Sequence, residues 1–145
     1  MAIETGLRTL LLAQSSITAI AAAQDIDRIS TPAIWNENPP QKLNPPYVLI
    51  SVIQRDPLET LTGTTGLMET EIDIDCYAVL YAKSVELATA VSDFLKDYTG
   101  AAGASDTIKA VNWKNTQDDK IWKADGTDVR LYYRTMNFRI HHQSA

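Results

Sequence analysis

Glu69, Glu71, Asp73 and Asp75 place an acid at every second position of one short segment, the most chemically suggestive spacing in the chain. On a strand such side chains share a face at roughly 6.5 to 7 Å. That separation suits the two carboxylates of an inverting glycosidase or part of a hard-cation site. Either use needs a cleft and further converging ligands, and no other segment supplies them, so no catalytic residue and no metal ligand is assigned. The row reads instead as a solvated face, cross-paired with Arg130, Arg134 or Arg139 of a later strand, or as an acidic surface used in assembly.

The other reactive side chains lead no further. His141 and His142 are adjacent on a strand and point to opposite faces, the wrong arrangement for two ligands on one metal. Cys76 is the single cysteine, so no intramolecular disulfide forms, and its phase puts it in the core as an inert thiol. Gly63 and Gly66 lie among threonines without a Gly-Lys-Ser/Thr run, so no phosphate cradle and no cofactor is expected. Tyr132, Tyr133 and Phe138 interleave with Arg130, Arg134 and Arg139 in the manner of a platform for stacked bases. Core packing accounts for most of these aromatics, and a small single-stranded nucleic-acid-binding module is kept as the alternative reading.

The elements that must carry these groups follow from pattern. With 145 residues, 45% of them apolar and 21% charged, the chain has the balance of one globular domain spanning 1–145. Its net charge of −5 argues against general adhesion to a phosphate backbone. The run Leu10 to Ala13 resembles a leader only weakly, because Glu4 spoils a basic start, and no segment reaches the length of a membrane span. An intracellular site of synthesis is expected.

Leu7, Leu10, Leu11 and the residues to Ile17 have helical spacing, followed by an Ala-rich turn or two through Ala23 and a brief extended piece at Asp25–Ile29. Five of the six prolines fall between Thr31 and Pro46, which predicts an extended loop holding Trp35. Tyr47–Gln54 is a β-branched strand, Thr60–Gly66 a polar loop, and Glu69–Tyr77 a strand that buries Ile72, Ile74, Cys76 and Ala78 opposite the acids. Leu87, Val91, Phe94, Leu95 and Tyr98 mark a helix from Ser84 to Gly100. A small-residue loop, a strand from Ile108 to Trp122 broken near Gln117–Asp119, an Asp-Gly hairpin at 124–127 and a final strand from Val129 to His142 complete the order. The fold class is α+β: a mainly antiparallel sheet with helices packed on one face, and mobile loops near 31–46, 56–68 and 100–106.

The succession Ile3-Glu4-Thr5-Gly6-Leu7-Arg8, Pro46-Tyr47-Val48, Glu71-Ile72-Asp73-Ile74-Asp75-Cys76-Tyr77 and Tyr133-Arg134-Thr135-Met136-Asn137-Phe138-Arg139-Ile140-His141 resembles the tail-completion proteins of long-tailed bacteriophages. The resemblance is strongest at 3–12, 46–53, 69–80 and 129–141, and weaker over 31–46 and 109–127. It implies a structural virion protein of the tail or neck, assembled in the host cytoplasm. Such a subunit terminates the tail tube and joins it to the head-side connector, often as a six-membered ring. Its implied partners are further copies of the chain, the tube protein and the connector, with DNA only as passing cargo, and no membrane, cofactor or catalytic residue. On this view Glu69, Glu71, Asp73 and Asp75 are a candidate lumen or assembly face, and Trp35, Leu58, Leu61, Arg130 and Arg134 are candidate partner contacts.

Overall fold

A computed structural model describes residues 3–60, 63–103 and 106–144. The elements in chain order are α1 (Ile3–Leu12), α2 (Ser15–Thr18), β1 (Gln24–Ile26), β2 (Ile29–Thr31), β3 (Ile34–Asn36), β4 (Tyr47–Thr60), β5 (Gly63–Ala78), α3 (Tyr81–Leu95), β6 (Gly100–Ala102), β7 (Asp106–Trp122) and β8 (Val129–Ser144). Sheet dominates, and its main body has the order β3-β4-β5-β8-β7-β6. Every neighbouring pair in it is antiparallel except β3–β4, which is parallel.

The alternation in 69–78 sets the core. Ile72, Ile74, Cys76 and Ala78 are all buried, and Ile72 and Ile74 lie opposite Phe138 and Met136 of β8. Val48 and Ile50 continue this layer on β4. Ile3, Leu7 and Leu11 of α1, Ile17 of α2, and Leu87, Ala88, Val91 and Leu95 of α3 belong to the same apolar cluster. Their three- and four-residue spacings are those of helices with one apolar stripe.

Gly6 sits where α1 meets β6. A Cβ there would overlap the backbone carbonyl of Ala102, so glycine alone permits this close approach. Gly6→Ala should therefore destabilise the protein by about 1–3 kcal/mol through overpacking, although alanine is the better helix former. A urea titration would register the loss as a lower midpoint; an unchanged or raised midpoint would contradict it.

Several boundaries differ from the sequence reading. The expected loop over 56–68 is the end of the long β4–β5 hairpin, paired from Asp56↔Glu69 to Thr60↔Gly63 with an irregularity between Pro57 and Glu59. Its Thr- and Gly-rich sequence lacks alternation, and pairing with β4 makes strand of the part from Gly63 onward, while residues 61 and 62 lie outside the described residues. The Pro-rich stretch contains β3, placed beside β4 by Ile34↔Val48 to Asn36↔Ile50. The piece at 25–29 is a separate hairpin, β1–β2, turned by Asp27 and Arg28 at φ 51° and 69°. Gly100–Ala102 form a short strand on the start of β7. Helix α3 begins at Tyr81 rather than Ser84 and stops at Leu95, after which the Tyr98 hydroxyl donates to the Ala101 carbonyl at 2.6 Å.

No turn interrupts β7 at Gln117–Asp119. Asp118 and Asp119 lie opposite Arg134 and Tyr133, and both aspartates bond across the strands. Cross-strand pairing thereby outweighs the weak strand preference of aspartate.

Candidate functional site

The four acids occupy the face of β5 opposite Ile72, Ile74 and Cys76, and all are half-buried. Across the strand gap they meet His141, Arg139, Asn137 and Thr135 of β8. Arg139 Nε lies 2.8 Å from Glu69 Oε1, and His141 Nε2 lies 3.2 Å from Glu69 Oε2. The Asn137 amide donates to Glu71 Oε1 at 3.1 Å and to Asp73 Oδ1 at 2.9 Å, bridging two acids with one neutral group. Asp75 is held above the usual carboxylate range by burial, against a hydrogen bond from Thr135, and its Oδ1 is buried without a partner. The row thus has its arginine partner at the Glu69 end and a neutral amide bridge at its middle.

Of the three arginines considered as neutralisers, only Arg139 reaches the row. Arg134 grips Asp118 with both arms, Nε to Oδ1 at 2.6 Å and a terminal nitrogen to Oδ2 at 2.9 Å, and this pair holds Asp118 below the usual carboxylate range. Tyr81 also donates to Asp118 at 2.9 Å. Arg130 is exposed and flanks a surface cavity of about 360 Å³ shared with Tyr47, Val79 and Leu131.

Trp35, on β3, is half-buried and tied to its own chain. Its indole N–H donates to the Pro32 carbonyl at 2.6 Å, and the Arg8 guanidinium lies 4.5 Å above its ring while donating to Ile34. This is the loop-pinning role of an aromatic in a polar segment. Leu58 lies on the backbone of β4, and Leu61 lies outside the described residues.

The apparent aromatic platform is divided between two faces. Phe138 is fully buried against Trp113, ring centroids 6.1 Å apart, and Tyr132 meets Tyr81 edge-on on the same side of the sheet. Tyr133 points the other way and completes a ladder with Tyr77 and Tyr47, centroids 4.9 and 4.8 Å apart, at the Asp75 end of the acidic row. Burial, with Asp75 beside it, raises the Tyr77 hydroxyl well above its ordinary value, so the ladder is neutral. Sequence reading passed over this ladder because its members come from three strands whose register is a tertiary property.

A second polar cluster lies inside. His142, 4% exposed, holds Thr70 Oγ1 at 2.7 Å through Nε2 and Asp106 Oδ1 at 3.3 Å through Nδ1, joining β5, β8 and the start of β7. The signal was present in the sequence: His142 shares the phase of Met136, Phe138 and Ile140. Burial holds its imidazole below the usual range despite Asp106. The unfolded chain, with histidine near 6.5, takes a proton that the native state refuses until lower pH. Stability should consequently fall as pH drops from about 6.5 toward the native value. His142→Gln should lower stability outright and flatten this slope in urea titrations between pH 7.5 and 5.5; a slope equal to that of the unmodified chain would contradict the assignment.

Cys76 is fully buried, with its thiol pushed far above the ordinary value by burial. Among the described residues no group of three or more His, Cys, Asp or Glu side chains converges to hold a metal ion. Among them, too, no helix is long and apolar enough to cross a membrane.

The main sheet thus buries Ile72, Ile74 and Cys76 on one face of β5 and carries the acidic row and the tyrosine ladder on the other. Residues 5–143 match the family described as tail completion protein gp17, and the chain belongs to that family. It is accordingly a structural component of a bacteriophage tail. No curated protein matches. Among solved structures, a chain from "Virion of native gene transfer agent (GTA) particle" shares the fold with a TM-score of 0.72 at 18% identity, covering 98% of this chain and 95% of that one.

Proposed function

We propose that the chain terminates the tail: copies of it close into a ring, expected to be hexameric, that caps the tube protein and docks the head-side connector after assembly in the host cytoplasm. Shape and docking do this work, without bond-making chemistry. The family match across nearly the whole chain carries the reading. The face of β5 bearing Glu69, Glu71, Asp73 and Asp75, opposite the buried Ile72, Ile74 and Cys76, lines the lumen in this reading. A negatively charged wall repels passing DNA and keeps it from adhering. Heterologous contacts between neighbouring copies close such a ring after a fixed rotation. Docking is also the step at which the segment 31–46 and the end of the β4–β5 hairpin gain partners.

Electron microscopy of tails carrying a tagged copy of the chain tests this directly. The tag should appear as one band at the head-proximal end of each tube. A tag distributed along the tube, or confined to its distal tip, would refute the terminator reading.

A further inference from the structure

Beyond the Asp75 end of the acidic row lies the cavity of about 360 Å³ that Arg130 flanks, and its lining differs from the row. Lys42 and Arg130 supply cations, Asn44 and Tyr47 supply polar groups, Val79 and Leu131 supply apolar wall, and none of the described residues that line it is acidic. The tyrosine ladder separates it from the row, since Tyr47 is the first rung and Leu131 stands two residues before Tyr133 on β8. Four carboxylates thus occupy roughly 20 Å of strand, and the cavity takes over where they stop.

The neighbouring charges decide whether this cavity has a cation to offer. Lys42 is engaged by Asp27 at 2.8 Å, in a pair whose side chains are both 69% exposed and which water weakens. Asp128, two residues before Arg130, is engaged by Lys123 at 3.7 Å, and Asp125 accepts from Thr127 within its own turn. Asp119 takes the Tyr133 hydroxyl at 3.2 Å, at the opposite end of the ladder from Tyr47. Arg130 is exposed and forms no ion pair among the described residues, so one guanidinium is uncompensated. The Tyr47 hydroxyl likewise has no hydrogen-bond partner among them. Burial raises that hydroxyl above its ordinary value while the Arg130 charge acts against the rise, which sets both groups around one space.

We infer that this cavity binds a phosphate group, with the Arg130 guanidinium on two of its oxygens, the Tyr47 hydroxyl and the Asn44 side-chain amide on the others, and Val79 and Leu131 as apolar wall. Arginine's planar fork matches phosphate oxygens, and hydrogen bonds to a charged acceptor are the stronger kind. Donors arriving from three separate residues suit a tetrahedral oxyanion better than a planar carboxylate. The site stands on this geometry alone, whereas its occupation by the backbone of passing DNA rests on the lumen reading. The wall would then repel the duplex along the acids and hold it at one level beyond them.

Titration of the purified full chain with sodium phosphate at constant ionic strength, followed by nuclear magnetic resonance, tests the site. The signals of Asn44, Tyr47, Arg130 and Leu131 should shift together and saturate, and sodium acetate should bind several-fold more weakly. Arg130→Gln, at an exposed side chain with no bond in the fold, should weaken phosphate binding on the order of tenfold, and Tyr47→Phe, which keeps the ring in the ladder, by a smaller factor. Lys114→Gln, at an exposed position of β7, should leave it unchanged. Shifts that never saturate, that fall elsewhere or that survive Arg130→Gln undiminished would overturn the site, and equal binding of acetate would overturn its assignment to phosphate. Short duplex DNA added in place of phosphate distinguishes the source. If the same four signals move, and the salt dependence of binding drops by about one phosphate in Arg130→Gln, the strand is the source. If the duplex moves none of them while inorganic phosphate does, the site stands for a free phosphate and DNA is overturned as its occupant. No arm of this experiment uses tails, so loss of the site leaves the terminator reading standing, and a tag found along the tube leaves the site standing.

Discussion

Phe138→Ala is expected to cost about 3–5 kcal/mol, because it removes a fully buried ring from the middle of the apolar layer. Phe138 lies opposite Ile72 on β5 and against Trp113 on β7, so its loss opens a void on both sides of β8. Set against the 5–15 kcal/mol that typically holds a domain together, roughly this much leaves the variant close to its unfolding threshold. Trp113→Ala, at a side chain 46% exposed, should cost clearly less. Chemical denaturation of the two variants side by side checks the ordering. A Phe138→Ala loss under about 1 kcal/mol would mean that the layer is not packed as described.

The second large effect concerns passage rather than stability. Glu71→Lys combined with Asp73→Lys replaces the two acids bridged by Asn137 with cations on the proposed lumen wall. Each lysine adds an attachment point for a phosphate, and such contacts compound, so genome delivery should fall on the order of tenfold or more at low salt and recover partly at high salt. Glu86→Lys combined with Asp93→Lys on α3, outside the proposed lumen face, serves as the matched charge change and should leave delivery unaltered. The readout is infectivity or gene transfer per particle, counted after confirming normal particle yield by microscopy. Unchanged delivery at normal yield would place the acidic row off the path of the DNA.

Much of the framework was legible where two signals agreed. In 69–78 the alternation of acids with Ile72, Ile74 and Cys76 identified both the strand and its buried face, because one side of a sheet over a core demands a strict period of two. Leu87, Val91 and Leu95 did the same for α3 with a helical period. Legibility ended where tertiary pairing overrode local preference. The Thr- and Gly-rich stretch before Leu67 is strand only because β4 lies beside it, and Asp118 stays in β7 only because Arg134 holds it. Beta-bulges also disturbed the count: irregularities at Ile108/Ala110 and Trp113/Asn115 shift the phase of β7 against β8.

The site was legible in composition more than in geometry. The row Glu69–Asp75 could be placed on one face from spacing, but its partners could not, since Asn137, Arg139 and His141 become neighbours only through the β5–β8 register. The same limit hid the Tyr47–Tyr77–Tyr133 ladder and the Thr70–His142–Asp106 cluster, whose members are distant in sequence. Val79–Tyr81 and Trp122, all exposed, likewise come to one end of the sheet only through the β5–β8 and β7–β8 registers.

The central claim, that this subunit finishes the tail by docking, is tested most directly by microscopy of particles produced without it. Tubes of uncontrolled length, or separate full heads and tails that join when the purified chain is added back, are the predicted result. Intact, infectious particles made in its absence would contradict it.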